Sequence, residues 1–129
     1  MSARQWTLEF EWERPLLSAN DRYGWRERHQ RTRLARTSAR LKAWQAHIPA
    51  LDKVHVHLVW QVADRRRRDG NENLAPTLKA LIDGIVDAGV VPDDTPNLVE
   101  RSSPAIEYLG PGHAKRDQRV LLVVTEVDA

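Results

Sequence analysis

The sequence predicts an α+β fold: a two-layer sandwich whose four-stranded mixed sheet carries two helices on one face, in the order β-α-β-α-β-β. Three observations predict it. Segments 6–13 and 54–61 alternate apolar and polar residues with the period of half-buried strands. Segments 32–48 and 74–86 instead repeat apolar residues at helical spacing. A valine- and leucine-rich run closes the chain. Four strands and two helices bury their apolar sides when both helices cover one sheet face and leave the other open.

Each element has its own signal. Trp6, Leu8, Phe10 and Trp12 alternate with Thr7, Glu9, Glu11 and Glu13, and Pro15 stops this first strand. Leu16 to Tyr23 reads as a loop carrying Ser18 and Asn20. The first helix is predicted from Thr32 to His47, with Leu34, Leu41, Trp44 and Ile48 as its apolar face and Pro49 as its stop. Val54, Val56, Leu58 and Trp60 form the second strand, with His55, His57, Val59 and Gln61 on its other side. Leu74, Leu78, Leu81, Ile82, Ile85 and Val86 make one stripe on the second helix. Asn73 is its expected N-cap, Pro76 is tolerated in the first turn, and Gly89 is the expected stop. Residues 90–96 form a turn, and Asn97 to Tyr108 a strand bent near Pro104. Gly110 to Asp117 is a polar loop, and Arg119 to Val127 the closing strand.

The chain has 129 residues, which fits one domain spanning 1–129. Apolar residues make up 41% and charged residues 29%, the balance of a globular protein and not a disordered one. No run of apolar residues is long enough to span a membrane, and the N-terminus lacks the apolar core of a signal peptide, so a cytoplasmic protein is expected. The absence of cysteine excludes a disulfide scaffold, a thiolate zinc site and cysteine nucleophiles.

Charge is distributed unevenly. Residues 20–42 hold eight basic groups against Asp21 and Glu27, a local charge of +6, and Arg65 to Arg68 form a second basic block. Asp83, Asp87, Asp93, Asp94 and Glu100 concentrate acid afterwards. Two basic surfaces beside a carboxylate-rich segment suit a polyanion held next to a site able to carry metal; solvated helix faces are the alternative. Lys79, Asp83 and Asp87 share one helix face by their i, i+4, i+8 spacing. A 16-residue helix is about 24 Å long, so the acids at Asp69 and Glu72 approach Asp93 and Asp94 only if the chain after Gly89 folds back along the helix. Clustered carboxylates are the hard oxygen ligands that Mg²⁺ or Mn²⁺ prefers, and a neighbouring lysine can stabilise charge growing on a phosphate.

Together these residues resemble the RusA family of Holliday junction resolvases. The resemblance lies in Asp64-Arg-Arg-Arg-Arg-Asp69, the Asn73-Leu74 pair opening a helix, Lys79-Ala-Leu-Ile-Asp83, Ala88-Gly89-Val90 and the Asp93-Asp94 pair. Pro15, Ser18 and Asn20 before a basic stretch match the family's N-terminal loop, and the likeness covers roughly residues 8–127. It implies a Mg²⁺-dependent endonuclease, with Mn²⁺ a plausible substitute, acting as a homodimer in DNA recombination and repair. Two-fold symmetry suits a four-way junction that must be nicked in two opposed strands. The implied metal ligands are Asp69, Glu72 and Asp94, with Lys79 the catalytic lysine and Asp93 and Asn73 auxiliary. The implied DNA-binding residues are Asn20, Arg22, Arg26, Arg28, Arg65, Arg66, Arg67 and Arg68. The family's reaction hydrolyses a phosphodiester with metal-activated water, leaving a 5′-phosphate.

Two spacings depart from the family pattern, one of them the longer interval from Asp69 to Lys79, which holds Ala75-Pro76-Thr77. Asp69 and Glu72 are three residues apart instead of two, and a one-residue bulge at Gly70 would restore both acids. The altered spacing keeps open a non-catalytic protein that binds branched DNA, and a nuclease for another branched substrate. A metal pair at His55 and His57 lacks a third ligand at a recognisable spacing, His113 reads as a solvated loop residue, and Ser18 has no triad partners. Trp25 is the better candidate to stack on an unpaired base, whereas Trp44 is expected in the core.

Overall fold

A computed structural model describes residues 3–19, 22–66, 68 and 71–128, with Asn71 and Glu72 described by backbone alone. Asn20, Arg67 and Asp69 lie outside the described residues. The elements run β1 (Gln5–Phe10), α1 (Trp25–Gln45), β2 (Val54–Val62), α2 (Ala75–Asp87), β3 (Val99–Arg101), β4 (Ala105–Tyr108) and β5 (Arg119–Glu126). β5 lies antiparallel between β1 and β2. β3 and β4 both run parallel to β2, giving a mixed, open sheet in an α+β fold.

The sheet has five strands where four were expected, because the segment 97–108 breaks in two. Val54 pairs with Val99, a register offset of 45, while Val59 pairs with Ala105, an offset of 46. One extra residue therefore sits between the two strands. Pro104 falls in that gap, where its missing N–H removes no ladder bond. The insertion also shifts the pleat, so Val99 shares a sheet face with Val54, and Ile106 with Trp60.

The core lies between the sheet and α2. Leu8, Phe10, Val54, Val56, Leu58, Val99, Val120, Leu122 and Val124 are buried on one sheet face, against Leu78, Leu81, Ile82 and Ile85. Each strand contributes alternate residues, as the period-two pattern requires.

Helix α1 departs from expectation. It begins at Trp25 instead of Thr32, and its buried residues are Ala35, Ala39 and Ala43. Leu34 (53% exposed), Leu41 (46%) and Trp44 (74%) face outward, so Trp44 is not in the core. The reason is the closeness of the two helices. A Cβ placed on Gly84 of α2 would lie 2.3 Å from the Arg36 carbonyl oxygen and 2.6 Å from the Ala39 Cβ. Only small side chains fit such a crossing, and a leucine face would hold the helices apart. The Arg36 guanidinium ties the same crossing to Asp87, with Nη2 donating to Oδ1 at 2.8 Å and Nε to Oδ2.

Both helices end in the same closing bond, from the N–H of one residue to the carbonyl five residues back: Ile48 to Ala43 at 3.3 Å and Val90 to Ile85 at 3.1 Å. The left-handed residue this requires is Gly89 (φ 84°) after α2, as expected, and His47 (φ 56°) after α1. The first helix thus stops ahead of Pro49. Asn73 does not cap α2 with its side chain; residues 71–74 form a 3₁₀ turn leading into the helix, and Leu74 holds the cap position.

Candidate functional site

The chain after Gly89 does fold back along α2, the condition for acids distant in sequence to meet. Lys79 Nζ donates to Asp83 Oδ1 at 2.8 Å and also to the carboxylate of Asp94, fifteen residues on. The return loop is held locally. The Asp94 N–H donates to Asp93 Oδ1 at 2.8 Å, the Thr95 carbonyl accepts from Leu98 and Val99 at 2.9 Å each, and Arg101 Nη2 donates to the Asp94 carbonyl at 3.0 Å. Asp93 therefore acts on the shape of the turn that presents Asp94.

The hydrogen bonds that Lys79 donates to Asp83 and then to Asp94 raise its pKa, so the amine stays charged. The Lys79 hydrogen bond lowers that of Asp94. Two hard carboxylates thus converge on a single cation. This donor chemistry suits Mg²⁺, although the ammonium now supplies the neutralising charge. Among the described residues no group of three or more ligand-type side chains assembles. Asp69 lies outside those residues; Glu72 has its backbone in the turn that enters α2, and Asn73 lies in the same turn.

The N-terminal loop is fastened to this end of α2 through a buried residue that sequence reading missed. Thr77 Oγ1 accepts from the Leu17 N–H at 3.0 Å and donates to the Leu17 carbonyl at 2.6 Å. Next to it, the Ala19 N–H donates to the Asn73 carbonyl at 3.0 Å. Arg31 of α1 joins the same assembly, donating to the Leu16 carbonyl at 3.2 Å with its guanidinium 4.3 Å from the Tyr23 ring centroid. The first turns of α1, the loop before Asn20 and the entry to α2 are therefore neighbours. Arg22, Arg26 and Arg28 are exposed there, as is Trp25, which has Arg26 over its ring at 5.5 Å.

The arginine block is not four equivalent phosphate ligands. The Arg68 side chain is only 10% exposed and is built into the loop. It donates to the Asp64 carbonyl at 3.1 Å, the Arg66 carbonyl at 3.0 Å and Asp64 Oδ1 at 3.1 Å, and lies 5.1 Å over Trp60. Asp64 is held below the usual carboxylate range, first by the Arg66 N–H and also by Arg68. Arg65 is exposed and stacks 4.4 Å over Tyr108, and Arg66 is exposed. Asp87 is likewise structural, its pKa lowered chiefly by the hydrogen bond from Arg36.

On the sheet face away from the helices, His55 is engaged by protein groups. Its Nε2 lies 2.6 Å from Ser102 Oγ and its Nδ1 3.7 Å from Glu100, which Lys53 also pairs at 3.0 Å. A scan against protein-family models finds no match for this chain, and a search of curated proteins finds none either.

Proposed function

We propose that the chain is a metal-dependent, structure-selective DNA endonuclease of RusA type, which nicks four-way junctions in opposed strands. The observation that carries this reading is the meeting of Lys79 with Asp94, because it joins two distant parts of the motif in one site. Asp69, Glu72 and Asp94 would hold Mg²⁺, which when bound supplies Lewis-acid polarisation of the phosphoryl group and an acidified water. Lys79 stays protonated and offers charge to the phosphate oxygens. Arg65, Arg66 and the exposed arginines of α1 hold the backbone of the substrate, a contact that carries affinity and little sequence information.

The reading includes a homodimer acting in the cytoplasm. Leu34, Leu41 and Trp44 are large apolar side chains exposed on α1, which a second copy of the chain could cover. No described helix is long and apolar enough to cross a membrane. A second reading, binding of branched DNA without cleavage, is favoured by the double ion pair of Lys79, since Asp83 and Asp94 already share a cation.

The test is cleavage of a synthetic four-way junction in Mg²⁺ beside a linear duplex of the same sequence, with Asp94→Asn and an EDTA control. Paired symmetric nicks in the junction alone, lost in the variant and in EDTA, are expected. Tight junction binding with no cleavage in Mg²⁺ or Mn²⁺ would leave only the second reading.

A further inference from the structure

β2 and β4 end together at the Val62–Tyr108 pair. Beyond it, Asp64, Arg65, Arg66 and Arg68 border an open cleft of about 230 Å³ at this corner. Its apolar side is Val62 and Ile106, one wall is the Tyr108 ring, and Arg65, Arg66 and Arg68 line the rest. Asp64 adds a carboxylate acceptor to the lining. Arg68 is nine-tenths buried and anchored by three hydrogen bonds, yet its Nε has no partner among the described residues.

The lining selects a ligand class. A bare phosphate has no use for valine, isoleucine and a tyrosine face, and an aliphatic ligand has none for three guanidinium groups. A flat heteroaromatic ring attached to phosphate uses both. At about 230 Å³ the cleft is smaller than the roughly 300–1,000 Å³ of sites for drug-sized ligands, so it suits one ring system and not a base pair.

We propose that this cleft captures a single unstacked nucleobase, and that the protein recognises branched or unpaired DNA partly by that capture. The inference rests on the nucleic-acid-binding part of the reading above. The base stacks on Tyr108, and the exposed Arg65 moves from the ring to a flanking phosphate. Arg66 and Arg68 add positive charge to the lining, and Asp64 accepts from an exocyclic amine. A paired, stacked base cannot enter without being flipped out of the duplex, whereas a branch point offers bases at much lower cost.

The experiment measures binding of the full chain, without divalent metal, to three labelled duplexes: fully paired, with one unpaired nucleotide, and with an abasic residue in that position. The unpaired nucleotide is expected to bind roughly tenfold tighter than either of the others. Tyr108→Ala should remove that preference while leaving paired-duplex affinity unchanged, and Tyr108→Phe should keep it; thermal unfolding by circular dichroism checks that both variants fold. Equal binding of the abasic and unpaired duplexes, or equal weakening of all three by Tyr108→Ala, overturns the proposal. Junction cleavage that survives such a result leaves the endonuclease reading standing. Failure of the wild type to bind any DNA removes both.

Discussion

Gly84→Ala tests the crossing that sets α2 against α1. The added methyl carbon would meet the Arg36 carbonyl oxygen at 2.3 Å and the Ala39 Cβ at 2.6 Å. Ordinary contact lies near 3.5 Å, so the helices must part by about 1 Å. That separation loosens the packing of Ala35, Ala39 and Ala43 and strains the ion pair from Arg36 to Asp87. Overpacking of this kind costs about 1–3 kcal/mol, and the upper end applies because the obstacle is backbone. Alanine recovers about 1 kcal/mol of helix propensity, leaving a net loss of about 1–2 kcal/mol. In a chain of 129 residues that lowers Tm by roughly 5 °C. Urea unfolding followed by circular dichroism should show a lower midpoint at unchanged slope. Adding Ala39→Gly should not rescue the variant, since it removes the side-chain contact and leaves the carbonyl in place. Wild-type stability in Gly84→Ala, or full rescue by Ala39→Gly, would refute this packing.

Three further outcomes follow from particular contacts. Thr77→Val keeps the shape but strands the buried N–H and carbonyl of Leu17, so a loss of about 2–4 kcal/mol is expected, with faster proteolysis at Arg14 and Arg22; Thr77→Ser should behave as wild type. Arg36 holds Asp87 below its usual range, so this pair stabilises fully above the unfolded carboxylate value of about 3.9 and fades as pH falls through the lowered native value. Asp87→Asn should therefore lose stability at pH 7 and show a shallower acid limb, and an acid limb identical to wild type would contradict the assignment. Replacing Arg66 and Arg67 by alanine should reduce the slope of log affinity against log salt for DNA by roughly 2, read by fluorescence anisotropy; an unchanged slope removes them from the DNA surface.

The sequence discloses those parts of this fold in which hydrophobicity and burial coincide. Strand β2 and helix α2 are such cases, since each buries its most apolar face. In α1 the two diverge. A leucine–tryptophan count selects Leu34, Leu41 and Trp44, whereas a close crossing selects the smallest side chains, and Ala35-Ala39-Ala43 opposite Gly84 was the available signal. The break at 102–104 was half legible, because proline marks a bend but not the register shift that makes two strands of one. Thr77 gave no signal at all. A threonine within an apolar stripe looks like a neutral helix residue until a distant loop is seen to need its hydroxyl. Asn73 misled in the opposite sense, since its backbone carbonyl, and not its side chain, is what the neighbouring loop uses.

Charged residues that read as one constellation divide into two kinds once packed. Asp64 with Arg68 shapes a loop, and Arg36 with Asp87 joins two helices, so both pairs hold structure. Lys79, Asp83 and Asp94 are different: one cation stands between two carboxylates, so the trio carries a net charge of −1. Such a trio repels a phosphate, while exposed Arg65 and Arg66 attract one. On the proposed function, affinity for DNA and reactivity toward it reside in different groups. EDTA should abolish cleavage yet leave junction affinity within about twofold at constant ionic strength, because the binding charge is arginine and needs no metal. A large loss of affinity in EDTA would mean that the acidic trio itself contacts the backbone, and that the separation drawn from these ion pairs is wrong.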